Sequence, residues 1–367
     1  MSASIQDMPV NTNQASVAEQ AEQTIRSRGH GALLPFQLGT DKRRFVAPDG
    51  GVVVSGTYGR FEVALGDPIG VDDPAPSLAA FVAACRARHQ IPAVYQASDG
   101  SVPALAALGL RTFRVGHEAV VRLADFTLKT PRRANLRHTV TRARRGGVTF
   151  AFSHGLDAAE RARLLPGLVE IDAQWQATAG PPLRFTIGHF DPAEVDKVAI
   201  AVALDADGQP AAFATFRPAG QGAWVLDLMR RRVGGTPGAL EGCLVEAATA
   251  FASAGDIDLS LGLAPLARLS GDATIREERA LVSGARVVRR WYDVDGLAFF
   301  KSKFDPVWVP RYAAVPSRMN LIGYAIALLG LHLGGYGPAG RQAIRRFSFT
   351  AAGRLRATKA TAVGFVR

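Results

Sequence analysis

Residues 224–240 read WVLDLMRRRVGGTPGAL. The β-branched and aromatic residues at its start predict a strand, Ala223–Met229, and the Gly/Pro cluster that follows predicts a loop. Beyond the loop, Gly238–Ala254 has helical periodicity, and Ile257–Leu263 reads as another strand. Upstream, Val198–Leu204 and Ala211–Arg217 flank Asp207-Gly208 as a hairpin. The order is hairpin, strand, helix, strand, which specifies an α/β lobe.

The first half repeats this order without repeating its residues. Arg44–Ala47 and Gly51–Tyr58 read as strands around the Pro48-Asp49-Gly50-Gly51 turn, followed by a strand at Arg60–Leu65. A helix is predicted at Ser77–His89, with Ser77 as its N-cap. Pro92–Ala97 is a strand, Val102–Leu108 a helix and Glu118–Leu123 a strand. The chain therefore divides into a leader (1–26), a first lobe (27–130), a linker (131–147), a second lobe (148–318) and a terminal helix with tail (319–367).

The 367 residues are 48% hydrophobic and 20% charged, as in globular proteins and unlike a wholly disordered chain. A net charge of +11 directs attention to polyanions, either nucleic acid or anionic lipid. Two distant cysteines, Cys85 and Cys243, exclude a disulfide framework and a Cys-rich zinc module and suit a reducing, cytosolic setting. The histidines are scattered, with no HExxH, so no metal site is expected. The polar N-terminus has no apolar core and reads as a frayed leader instead of a signal peptide.

The linker Pro131–Gly147, PRRANLRHTVTRARRGG, holds six arginines and no carboxylate. At helical spacing Arg133, Arg137 and Arg144 share a face, with Arg142 and Arg145 nearby. A solvated surface helix would carry mixed signs; an all-positive one suits phosphates or lipid headgroups. From Asn320 to Gly340 there is no charged side chain, and LIGYAIALLGLHL (321–333) is too short to span a bilayer, which needs roughly 20 apolar residues. It reads as a buried or interface-lying helix. The tail after it carries Arg341, Arg345, Arg346, Arg354, Arg356, Lys359 and Arg367 with no acid, a pattern that suits an anionic bilayer surface.

In a regular strand Asp227 shares a face with Val225 and Met229, while Arg230 lies opposite unless a bulge re-aims it. Asp227, partly buried, needs a partner, and a structural Asp–Arg pair is the plain alternative to a catalytic role. A GxGxxG at Gly335–Gly340 follows a helical run and lacks the later acid of a dinucleotide site. No Walker A or GxSxG sequence is present. Residues 299–312, FFKSKFDPVWVPRY, set Lys301, Lys303, Trp308 and Arg311 among aromatics. Pro306 and Pro310 there oppose a helix, so an ordered loop or extended segment is expected.

The loop Arg231–Thr236 resembles the pyrophosphate-cradling loop of acyl-CoA-dependent N-acetyltransferases, with Thr236 at the last small position. More specifically, LGDPIG (65–70), DLMR (227–230), LGLAPL (261–266) and KSKFDPVWVPRY (301–312) resemble, in order, the cytosolic C-terminal domain of bacterial phosphatidylglycerol lysyltransferases, the multiple peptide resistance factors. That resemblance covers roughly residues 25–320. It implies two tandem N-acetyltransferase-like lobes joined by the basic helix. The implied reaction is transfer of an amino acid from aminoacyl-tRNA to a hydroxyl of a lipid such as phosphatidylglycerol, which alters membrane surface charge and underlies antimicrobial peptide resistance. It also implies a peripheral site at the inner face of the cytoplasmic membrane. Most relatives carry a transmembrane flippase, so a separate flippase is expected here.

By the same resemblance Asp227 orients or deprotonates the hydroxyl, and Arg230 and Lys303 hold the lipid phosphate or stabilise the oxyanion. Lys301, Arg311, Trp308, Gly262 and Pro265 are substrate-binding candidates. Arg133, Arg137, Arg142, Arg144 and Arg145 are expected to bind the tRNA backbone. Direct transesterification requires no metal or cofactor, aminoacyl-tRNA being a co-substrate. Gln176–Leu183 is uncharged, and Arg289 and Arg290 stand ahead of Tyr292 where an acid is expected. A cationic aminoacyl group should be met by carboxylates, so a neutral amino acid is expected. The competing readings are an acyl-CoA-dependent acyltransferase on the same fold and a non-enzymatic lipid- or RNA-binding protein.

Overall fold

The computed structural model describes residues 12–153, 156–179, 183–269, 278 and 294–334. The motif at Gly335–Gly340, the arginines at 289 and 290, Tyr292 and the tail from Arg341 lie outside the described residues, as does part of the uncharged 176–183 stretch.

Among the described residues eleven strands form one sheet. They are β1 (Arg43–Val46), β2 (Val52–Tyr58), β3 (Phe61–Leu65), β4 (Ile91–Ala97), β5 (Arg111–Arg122), β6 (Thr149–Phe152), β7 (Ala199–Leu204), β8 (Pro210–Pro218), β9 (Ala223–Arg231), β10 (Asp258–Pro265) and β11 (Val307–Val315). Their spatial order is β1-β2-β3-β4-β11-β5-β10-β9-β8-β7-β6. The α/β class with two lobes of the expected N-acetyltransferase-like order holds: each half runs hairpin, strand, helix, strand, and each contains a parallel pair, β3–β4 and β9–β10.

The lobes are not cut cleanly at residues 130 and 148. β5, from the first half, pairs with β10 of the second, and β11, from the end of the second, inserts between β4 and β5. Each half thus lends a strand to the junction, and the shared sheet makes one body of the two lobes. Pro310 is tolerated in β11 because β4 pairs only with Tyr312–Ala314, leaving Val307–Arg311 bonded on the β5 side alone.

The helices are α1 (Thr12–Arg28), α2 (Leu34–Gln37), α3 (Ala75–Ala87), α4 (Val102–Ala107), α5 (Ala134–Arg145), α6 (Ala158–Ala179), α7 (Ala239–Ser253), α8 (Val294–Ser302) and α9 (Asn320–His332). The expected N-cap of α3 is displaced: the helix starts two residues earlier, and Ser77 instead donates to Asp49 across the β1–β2 turn. The leader is also not frayed over the described part. α1 buries Ala21 and Ile25, four residues apart, against Leu34, Val52, Val54 and Ile69.

In the second lobe α6 and α7 sandwich the sheet. Leu168 and Ile171 of α6 pack on Ile200, Val202 and Phe213. Cys243, Leu244, Ala247 and Phe251 of α7 pack on the opposite face with Ala212, Ala214, Phe216 and Leu226. Trp224 stacks on Phe251 with ring centroids 4.4 Å apart. Burial pushes both cysteine thiols up, Cys85 to about 12, so neither is a nucleophile at neutral pH.

Candidate active site

The site starts from a defect in the sheet. In the β8–β9 ladder Thr215 opposes Leu228 while Phe216 opposes Leu226, so Asp227 is the extra residue of a β-bulge. The bulge resets the alternation. Met229 packs toward the α7 core, whereas Arg230, opposite Phe213, faces α6. Asp227 faces the same side, where Thr215 and Arg217 project. The bulge therefore puts Asp227 and Arg230 on one face.

The partner of Asp227 is Arg217, not Arg230. Its carboxylate is 2% exposed and accepts from Arg217 Nε at 3.0 Å through Oδ2, with Thr215 Oγ1 at 3.5 Å. Oδ1 is buried and has no hydrogen-bond partner among the described residues. A buried acceptor of this kind costs about 1–3 kcal/mol unless something donates to it. Gly188 lies against the same carboxylate so closely that a Cβ there would collide with it.

Arg230 is locked rather than open. Nε donates to Asp172 Oδ1 of α6 at 2.8 Å, a terminal nitrogen donates to the Met229 carbonyl at 2.9 Å, and the guanidinium lies 3.5 Å from the Trp175 ring centroid. Burial lowers its pKa, opposed by Asp172 and then by Asp227. Its guanidinium is thus a fixed positive charge near Asp227, with Asp172 and Trp175 bound to it instead of a lipid phosphate.

Lys303 is not brought to this pair by any bond. It donates to Glu241 of α7 at 2.8 Å and lies over the Phe299 and Phe300 rings. The remaining 299–312 residues build a second cluster where β9 and β10 part. Those parallel strands pair only through Ala223–Val225 and Asp258–Ser260. Beyond that, a bulge in β10 lets Lys301 Nζ donate to the carbonyls of Gly262 (3.1 Å) and Leu263 (2.8 Å). Burial pushes Lys301 down to about 7, with Glu118 opposing. Gly262 has φ +78°, close to Lys301, and Pro265 pairs with Gly116 of β5. Glu118 accepts from Ser260 Oγ and, through its other oxygen, from Arg311 Nε at 2.8 Å. Trp308 packs partly buried on the α7-side core, with Arg268 over its ring.

Arg311 also lines a cavity of about 290 Å³ roofed by Gly66–Asp72, the loop that carries most of LGDPIG. Gln96, with φ +64° and 5% exposure, lines the same cavity. Left-handed backbone in a non-glycine residue costs on the order of 1–3 kcal/mol and often marks a binding site. Asp67 braces the loop by accepting from Ser98 N and Ser101 Oγ.

The basic helix divides differently from expectation. Arg133 sits in a 3-10 turn before α5 and is buried: it donates to the carbonyls of Phe304, Asp125 and Thr127 and covers Phe126. Burial lowers its pKa. It continues the face of Leu136, Val140 and Ala143, which α5 must bury against α7, and so is withdrawn from the phosphate-binding set. Arg137 is half-buried and donates to the Leu128 carbonyl. Arg144 reaches toward Glu246 at 3.8 Å, while Arg142 and Arg145 are exposed. The loop at Arg231–Thr236 closes as a turn, Gly235 N donating to the Arg232 carbonyl.

Asp172 and Arg217 were not singled out by sequence. The pairing of Asp172 with Arg230 depends on α6 and the bulge, and that of Arg217 with Asp227 on the neighbouring strand β8, none of which local spacing encodes. Among the described residues no His/Cys/Asp/Glu group could hold a metal ion, and no helix is long and apolar enough to cross a membrane.

The chain is 29% identical over 303 residues to the phosphatidylglycerol lysyltransferase of Bacillus subtilis, covering 81% of this chain and 35% of that protein. It thus spans about a third of that relative's length. A crystal structure of the C-terminal domain of a putative lysylphosphatidylglycerol synthetase from Agrobacterium fabrum aligns with TM-score 0.73 at 29% identity, over 88% of this chain and 98% of that one. The structure of L-PGS from Bacillus licheniformis aligns with TM-score 0.70 at 27% identity, over 84% and 94%. The sequence model of the family described as "Phosphatidylglycerol lysyltransferase, C-terminal" matches residues 23–315, and the chain belongs to that family.

Proposed function

We propose that this chain transfers an aminoacyl group from aminoacyl-tRNA to a hydroxyl of an anionic phospholipid such as phosphatidylglycerol, working at the inner face of the cytoplasmic membrane. The observation that carries the reading is Asp227 Oδ1, a buried carboxylate oxygen with no donor among the described residues, on a bulge beside a locked arginine. A lipid hydroxyl is the donor that this oxygen lacks.

In the reaction the hydroxyl donates to Asp227, which orients it and takes its proton as the oxygen attacks the ester carbonyl. The new ester C–O bond forms, the old one to the tRNA ribose breaks, and the ribose oxygen is protonated in turn. Arg230 and Arg217 supply fixed positive charge beside the developing oxyanion. Arg311 and the cavity under Gly66–Asp72 would receive the headgroup, and Lys301 at Gly262 would line the approach between β9 and β10. Lys303 is assigned a more distant electrostatic role because Glu241 already binds it. Trp308 and Pro265 shape that approach. Exposed Arg142 and Arg145, with Arg144 and Arg137 beside them, would contact tRNA phosphates without reading sequence. One ester is exchanged for another, so the transfer needs no metal or cofactor.

The aminoacyl group is proposed to be neutral. The carboxylates around the site are each already matched: Asp172 by Arg230, Asp227 by Arg217, Glu118 by Arg311 and Glu241 by Lys303. Among these described carboxylates none is left without a cation, so none is free to pair with a lysyl ammonium. The test is to incubate the purified chain with a mixture of charged tRNAs and phosphatidylglycerol vesicles and weigh the lipid product. RNase-sensitive appearance of a neutral aminoacyl lipid supports the reading. Lysyl lipid formed as readily refutes the neutral donor, and acyl transfer that survives RNase refutes the tRNA donor.

A further inference from the structure

The last described helix, α9, has one face more than the fold uses. Tyr324, Ala327 and Leu331 are buried against the first lobe, and Tyr324 donates its hydroxyl to the Val94 carbonyl. Gly323 and Gly330 lie flat on the Phe61 and Tyr58 rings. The other face presents Met319 (93% exposed), Ile322 (76%), Ile326 (56%) and Leu329 (43%). Their spacing of three, four and three residues makes one continuous row. Large apolar side chains gathered in such a row mark an interaction surface, unlike singly scattered ones.

Charge identifies what covers the row. Arg318 is exposed at its start, Arg184 is exposed at its far end where its backbone N–H donates to the His332 carbonyl, and Arg60 is exposed beside Phe61. From Pro306 to the C-terminus the sequence holds no Asp or Glu at all. A second copy of the chain would bring the same positive charge to the interface. A bilayer rich in anionic lipid meets both the apolar row and the cations. Thirteen residues span about 20 Å, so the helix lies along the surface and does not cross it.

We infer that the Met319–Leu329 row of α9 is the surface by which this protein docks on an anionic bilayer, an inference that rests on the lipid-acceptor reading above. The buried side of the same helix then ties the docked surface to the site. His332 Nδ1 donates to the Leu328 carbonyl (2.8 Å), which leaves Nε2 to accept from Thr186 Oγ1 (3.0 Å). Phe185, at φ +68°, sits between Tyr95 and His332. Two residues beyond Thr186, Gly188 rests on the Asp227 carboxylate. A helix lying in the headgroup layer thus holds the segment that covers Asp227, so the acceptor hydroxyl is presented where the helix docks.

The test uses the full chain with vesicles of equal parts phosphatidylglycerol and phosphatidylcholine, and with phosphatidylcholine alone. Flotation of the wild type with the first and not the second is expected, and Ile322→Asp combined with Ile326→Asp should cut it by at least about tenfold. Both side chains are exposed, so the melting temperature should not move; Met319→Ser with Leu329→Ser is the second variant should it do so. Wild-type-like flotation of both variants would overturn the inference, as would equal flotation of the wild type on neutral vesicles. A variant that loses self-association while still floating would reassign the row to a second copy and overturn it as well. Transfer to a soluble short-chain phosphatidylglycerol should survive the substitutions while transfer to vesicles falls. If the wild type transfers nothing to either acceptor, the functional reading fails while flotation still decides the docking surface.

Discussion

Asp227 and Arg230, three residues apart on β9, lie on the same face of the sheet because Asp227 is the extra residue of a bulge. An unbroken strand would send Arg230 into the α7 core and Met229 toward α6. The electrostatic influence of Asp227 on the Arg230 guanidinium is the direct consequence. This one-residue insertion converts a DLMR sequence into a buried acid with a fixed cation beside it.

The Arg230–Asp172 pair is buried on both sides, with 8% and 7% of the side chains exposed. Losing one partner of such a pair typically costs about 3–5 kcal/mol. Asp172→Ala should therefore lower stability by that order in chemical denaturation, and Arg230→Lys should recover little because it forfeits the stacking on Trp175. A change under about 1 kcal/mol for Asp172→Ala is what a solvated pair would give, and it would contradict the burial.

Gly188 allows the approach to Asp227. Gly188→Ala leaves the backbone allowed but drives a methyl into the carboxylate. Transfer activity should fall by tenfold or more and the melting temperature should drop as well, since overpacking at a buried side chain costs about 1–3 kcal/mol, read by turnover and thermal scans in parallel.

Arg133 and Arg142/Arg145 should separate by assay. Arg142→Gln with Arg145→Gln should weaken tRNA binding and flatten the dependence of log K on log salt by roughly one unit for each phosphate no longer neutralised, with stability unchanged. Arg133→Gln should do the reverse, lowering the melting temperature because three carbonyls lose their donor while leaving the salt slope intact.

Lys301 gives a pH signature. Its folded pKa of about 7 lies below its ordinary value of 10.5, because burial favours the neutral amine. Between those values the unfolded chain binds more protons than the folded one. Its contribution to stability is therefore greatest above 10.5 and is lost as pH falls toward 7. Relative to Lys301→Met, wild-type stability should rise between pH 7.5 and 9.5 by up to about 1.4 kcal/mol per unit. Urea titrations at several pH values measure this, and parallel curves for the two proteins would contradict it.

Local signals made most of the second lobe legible. The β7–β8 turn at Asp207-Gly208 and the strand, loop and helix from Trp224 onward follow from turn chemistry and periodicity. Asp227 stood out as an acid inside an apolar strand. What escaped was non-local. The exchange of β5 and β11 between lobes depends on pairings between residues about 190 positions apart, such as Trp308 with Ala119. The Arg217 and Asp172 partners come from other elements that the bulge alone brings to Asp227 and Arg230. Arg133 looked like one more cation because its burial is set by α7 and Phe304, not by its own helix. Ala21 and Ile25 were a readable signal, an i, i+4 apolar pair in the leader, outweighed by the polar residues around them.

Single-turnover transfer from aminoacyl-tRNA to phosphatidylglycerol by Asp227→Asn decides whether the buried acid does the chemistry. The amide keeps the size of the carboxylate but cannot take the proton of the acceptor hydroxyl. The rate should drop by about two orders of magnitude or more, with tRNA binding and vesicle flotation at wild-type levels. Transfer at the wild-type rate would contradict the proposed mechanism and reduce Asp227 to a structural partner of Arg217.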